Sequence, residues 1–152
     1  VSGAGRGAFD LKQERAMLMG GCYCGAVRYE ADGDPMFRGQ CHCRECQKIA
    51  GGAENYFMAV PVEGFRYVKG EPARYSRPDL ENPVTREFCA TCGTHLATLS
   101  PRRKNAVIVK VGGLDDPSVY GGPQVVFYTS EAQPFHLFPE GVPAFEKFPP
   151  PR

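Results

Sequence analysis

Cys22-Tyr23-Cys24, Cys41-His42-Cys43-Arg44-Glu45-Cys46 and Cys89-Ala90-Thr91-Cys92-Gly93 hold all seven cysteines of the chain. In an extended segment residues two apart project to one face, so Cys22 with Cys24, and Cys41 with Cys43, can each aim two sulfurs at one point. A two-residue insert does the same through a tight turn, and Gly93 supplies the permissive backbone such a turn needs next. These are ligand spacings, and they outweigh the reading of each cysteine as a small buried hydrophobe.

A structural zinc site takes four ligands in tetrahedral array at about 2.3 Å per sulfur. Cys22, Cys24, Cys89 and Cys92 form such a set from two separated pairs, and the ion would clamp an early hairpin to a late one across a long loop. The middle cluster brings three thiols, which leaves a bound metal one open position. A thiol or water there is deprotonated near neutral pH, and a carbonyl oxygen is polarised by the same charge. Catalytic zinc is therefore assigned to Cys41, Cys43 and Cys46, giving two zinc ions per chain. Two alternatives stay open: the three thiols are free and redox-active, or they complete one site in another pairing.

Around these clusters the chain reads as strands joined by turns. Segments rich in Val, Phe and Tyr at 26–31, 36–42, 56–60, 65–69, 73–76, 85–88, 94–99, 106–111 and 124–128 alternate with breakers such as Gly33-Asp34-Pro35, Asn82-Pro83 and Gly112-Gly113. With 14 prolines and 18 glycines spread throughout, long helices have little room. One short helix fits at 44–49, directly after the second cluster and before Gly51-Gly52. The fold class is mainly β with little helix. His42 alternates with Cys41 and Cys43 and should face away from their metal, His95 should pack or line a pocket, and His136, between Phe135 and Leu137, should be structural. Glu45 and Glu54 are conceivable proton carriers near the open site, with surface solvation as the plainer reading.

Composition narrows the class. A chain of 152 residues is the size of one domain. Eighteen basic against seventeen acidic side chains leave +1, which provides no field for nucleic acid or anionic lipid, and Arg102-Arg103-Lys104 reads as an exposed turn. No apolar run is long enough to cross a bilayer. Residues 1–19 are expected as a flexible arm or cloning remnant, 20–148 as the zinc-binding domain and 149–152 as a proline-rich tail. With no export signal visible, the expected location is a reducing cytoplasm, where an odd number of thiols persists without disulfides.

Gly21-Cys22-Tyr23-Cys24-Gly25-Ala26-Val27-Arg28-Tyr29, then Cys41-His42-Cys43-Arg44-Glu45-Cys46-Gln47-Lys48, and Phe88-Cys89-Ala90-Thr91-Cys92-Gly93-Thr94 resemble the glutathione-dependent formaldehyde-activating enzyme family, which includes centromere protein V. The likeness runs from about Gly20 to Phe148 and takes in the closing segment Val125 to Phe145. It implies a zinc-binding β-tent of stacked antiparallel sheets, with structural zinc on the first and last cysteine pairs and a second zinc on the middle triad. It further implies a carbon–sulfur lyase that makes or breaks S-(hydroxymethyl)glutathione, with glutathione or another small thiol as co-substrate and a small aldehyde as partner. Gln133-Pro134-Phe135-His136 stands where many relatives carry tryptophan, and this chain has none. The other function classes are a zinc-stabilised binding module without catalysis and a thiol redox sensor.

Overall fold

The structure, a computed structural model, describes residues 17–149. In chain order its strands are β1 (Met17–Gly21), β2 (Arg28–Asp32), β3 (Phe37–Cys41), β4 (Asn55–Pro61), β5 (Phe65–Lys69), β6 (Ala73–Tyr75), β7 (Thr85–Phe88), β8 (His95–Leu99), β9 (Ala106–Lys110) and β10 (Val125–Phe127). The helix α1 spans Arg44–Ile49. Three strands form a small antiparallel sheet in the order β1-β2-β5, and seven form a larger one in the order β10-β3-β4-β9-β8-β7-β6.

Every expected strand is present within a few residues, and α1 occupies the expected 44–49. Two features differ. Met17–Gly21 is a strand that overlaps the expected arm at 17–19, because Leu18 turns inward while Met17 and Met19 stay exposed and its backbone pairs fully with β2. The rest of the expected arm and most of the proline-rich tail lie outside the described residues. The large sheet is also not wholly antiparallel: β10 runs parallel to β3, with Phe127 beside Cys41. The chain between β3 and β10 is long enough to make that return.

Alternation along the central strands gives the large sheet two working faces. Met58, Val60, Val107 and Val109 point from one face toward Tyr29 and Ala31 of the small sheet and make the main core with Leu96 and Leu114. Each large apolar side chain fully buried there contributes about 1.5–3 kcal/mol. The opposite face carries a second cluster, Cys41, Cys46, Phe57 and Phe127, with Phe37, Cys43 and Ile108 packed against it. Phe57 lies over Gly39, its cross-strand partner, where an added Cβ would sit 2.3 Å from the ring. That close seat, with Phe127 stacked at 6.1 Å and Phe37 edge-on at 5.8 Å, makes an aromatic shelf beneath the middle cysteines.

Candidate metal centres and the cleft beside them

The first and last cysteine pairs come together from different sheets. Cys22 and Cys24 sit in the β1–β2 turn of the small sheet, and Cys89 and Cys92 in the β7–β8 turn of the large one. Their four sulfurs all lie within 4.8 Å of one another, Cys22 to Cys24 at 3.6 Å and Cys24 to Cys89 at 3.8 Å. Four sulfurs at the usual zinc–sulfur length are about 3.8 Å apart on a tetrahedron, so the donor set fits a single closed ion.

Both turns have the same design. Gly25 and Gly93 follow their pairs with φ of 81° and 79°, a conformation that costs a side-chain-bearing residue and suits glycine. Backbone N–H groups donate to sulfur, Val27 to Cys22 at 3.2 Å and Cys92 to Cys89 at 3.5 Å. The Thr94 hydroxyl and N–H hold the Cys92 thiol down to about 5, favouring the thiolate a metal takes.

Cys41, Cys43 and Cys46 likewise bring their sulfurs within 4.8 Å of one another. Cys41 ends β3, Cys43 is the N-cap of α1 with its sulfur accepting the Cys46 N–H at 3.3 Å, and Cys46 lies buried on the first turn. The end of the strand supplies one sulfur, the extended N-cap residue the second and the helical turn the third. Asn55 Nδ2 donates to Cys46 Sγ at 3.6 Å. Thiol donors from Cys41 and Cys43 hold the Cys46 sulfur far below its usual range, while the same sharing and burial push Cys41 far up. Both cysteine groups can hold a metal ion, one with four protein ligands and one with three.

A cleft of about 490 Å³ has Asn55, the donor to Cys46, in its wall and is lined by Glu54, Tyr56, Thr94, His95 and Lys110 among others. His95, expected as packed or pocket-lining, tilts against Phe88 at 5.7 Å, and its buried Nδ1 has no protein partner. Burial, with Lys110 and Arg86 nearby, keeps its ring below the usual histidine range. Burial also pushes the Lys110 ammonium down to about 8, against the upward pull of Cys46.

His42 faces away from the metal ligands, as its register requires. It is fully buried, with Nε2 2.8 Å from Gln40 Nε2 and Nδ1 2.9 Å from His136 Nδ1. Complementarity settles the protons. His136 Nε2 must donate to the Gly52 carbonyl at 2.8 Å, its Nδ1 accepts from Gln133 N–H, and His42 Nδ1 is then the donor between the rings. Glu54 places a carboxylate oxygen within 4.8 Å of this pair, but every ring nitrogen already has a protein partner. His136 is structural as expected, pinning the carboxyl-terminal segment to the loop that carries the triad. Gln47 adds to the pin, donating to the His42 carbonyl at 2.7 Å and the Glu131 carbonyl at 2.8 Å.

Glu45 is bound by Arg77 at 2.7 Å and Arg86 at 3.2 Å in a surface ion-pair group, which matches its plainer reading. Arg102, Arg103 and Lys104 form an exposed turn. Sequence reasoning missed Lys110 and Asn55. Lysine inside the apolar run Ala106–Val111 was a readable signal, since an ammonium at an interior strand position needs an anion nearby. Asn55 carried no such signal.

Comparison with known proteins agrees with this architecture. The family described as "Glutathione-dependent formaldehyde-activating enzyme" matches residues 17–131. A Halomonas elongata protein that carries a provisional name as a glutathione-dependent formaldehyde-activating enzyme is 31% identical over 94 residues, covering 57% of this chain. The chain spans 58% of that relative's length. The crystal structure of a Rhodobacter sphaeroides protein shares the fold with a TM-score of 0.55 at 23% identity, covering 69% of this chain and 96% of its own. Among the described residues no helix is long and apolar enough to cross a membrane. On the strength of the match across 17–131, the chain belongs to the glutathione-dependent formaldehyde-activating enzyme family.

Proposed function

We propose that the protein is a zinc-dependent carbon–sulfur lyase acting on a thiol–aldehyde adduct of the S-(hydroxymethyl)glutathione type, with structural zinc on Cys22, Cys24, Cys89 and Cys92 and catalytic zinc on Cys41, Cys43 and Cys46. The observation that carries this reading is the asymmetry of the two cysteine groups: one is a set of four, and the other is a set of three whose Cys46 is hydrogen-bonded by Asn55, a residue of the cleft wall. Bound at the triad, zinc supplies Lewis acidity at an open coordination position.

The remaining work falls to the chain. The cleft holds thiol and aldehyde together, which converts a bimolecular encounter into a positioned one. Asn55 fixes the Cys46 sulfur, and the aromatic shelf of Phe57, Phe127 and Phe37 keeps the triad rigid from behind. Breaking the adduct moves one proton from its hydroxyl to the departing sulfur while the carbon–sulfur bond opens and a carbonyl forms. Glu54, on the cleft wall and hydrogen-bonded by Tyr56, is the carboxylate that would take that proton, and the reverse transfer serves synthesis.

Exchange between glutathione and formaldehyde, followed by NMR, tests the reading. The wild type should accelerate exchange well above buffer and the Cys43→Ser variant should not. A wild-type rate equal to buffer rejects the lyase. Three alkylatable thiols on a protein holding one zinc would instead support the redox sensor.

A further inference from the structure

Lys110 ends β9 on the sheet face that carries the triad. Cys41 pairs with Asn55, Asn55 and Phe57 alternate to one side of β4, and Phe57 pairs with Lys110. Continuing the register, Ile108 pairs with Thr98 and Thr98 with Arg86, so Lys110 and Arg86 point the same way as Cys41. They differ in their partners. Arg86 has the Glu45 carboxylate at 3.2 Å, whereas Lys110 is 7% exposed and no carboxylate pairs with it among the described residues.

An ammonium taken out of water needs negative charge close by. On this face that charge comes from the sulfurs. A divalent ion with three thiolates leaves one negative charge, which Lys110 cancels. A neutral fourth ligand then leaves the centre neutral. An anionic fourth ligand leaves one negative charge in the buried site, where without Lys110 it would leave two.

We propose that Lys110 is a positioning residue that sets the charge of the triad centre, so that its open position accepts an anion such as a thiolate far more readily than it would without that charge. The inference rests on a divalent ion at the triad, as in the function proposed above, and not on the lyase reaction. Lys110 acts on the open position through its charge and is not itself a ligand of the ion.

The test uses the cobalt(II)-loaded protein, whose visible bands report ligand exchange at the open centre while the four-cysteine centre has no position to exchange. Thiocyanate serves as the anionic probe and imidazole as the neutral one, each titrated into wild type, Lys110→Met, Lys110→Gln and Lys110→Arg. Removing the charge in the Met and Gln variants should weaken thiocyanate binding about 10-fold or more and leave imidazole within about 3-fold, with Lys110→Arg keeping the wild-type thiocyanate affinity. Imidazole binding certifies that each variant keeps an intact centre. Equal losses for both probes, or no loss for either, overturn the inference and leave the lyase reading standing. Failure of the triad to bind cobalt at all removes both.

Discussion

Cys43 serves two structures with one sulfur, as a donor in the triad that can hold a metal ion and as the N-cap of α1. Serine is a good N-cap but a poor soft-metal ligand. Cys43→Ser should therefore keep the thermal midpoint within about 3 °C of wild type, roughly 1 kcal/mol for a chain of this size, while abolishing metal at the triad and the exchange reaction. Metal counting and calorimetry on the same sample check the split. His136 is the opposite case, a residue whose loss harms the fold. His136→Ala leaves His42 Nδ1–H and the Gly52 carbonyl without their partners, a cost of about 1–3 kcal/mol by denaturant unfolding. Glu54 titrates below its ordinary value: burial opposes ionisation, but the Tyr56 hydroxyl and its own backbone N–H outweigh it. A carboxylate shifted down adds stability above its unfolded pKa that is lost as pH falls through the folded one. The stability gap between wild type and Glu54→Gln should thus be a few tenths of a kcal/mol at pH 7 and close below about pH 4.

At the scale of elements, α1 and the strands were legible because their signals are local. A capping cysteine and Gly51-Gly52 bound the helix, and glycine–proline breakers bound each strand. β1 was hidden because Leu18 alone of its Met17-Leu18-Met19 run points inward, too brief an alternation to stand out beside a glycine-rich stretch. The parallel seat of β10 depends on a partner far away in sequence and leaves no local mark. Nor does the need for glycine at 39, which arises only when Phe57 lies across it. Gly39→Ala should displace that ring from the shelf and cost about 1–3 kcal/mol, seen as a lower denaturant midpoint with unchanged slope.

Over the whole molecule, the spacing of cysteines pointed to both groups of thiols that the fold brings together, while the consequence of their placement emerged only with the sheets. Cys22 and Cys24 belong to one sheet and Cys89 and Cys92 to the other, so an ion there is a staple between two layers. Strong chelation, or Cys89→Ser, should lower the melting temperature by at least about 10 °C, far more than loss of the triad metal. That Lys110 shares a sheet face with the triad was likewise invisible until register put β3, β4 and β9 side by side.

The contrast between a closed centre and an open one is tested most directly by native mass spectrometry of the purified protein, with metal counted before and after brief treatment with a mild chelator. Two zinc ions falling to one, with the protein still folded and only Cys41, Cys43 and Cys46 becoming alkylatable, is the predicted result. A single ion from the start, or two that leave together as all seven thiols become reactive, would contradict it.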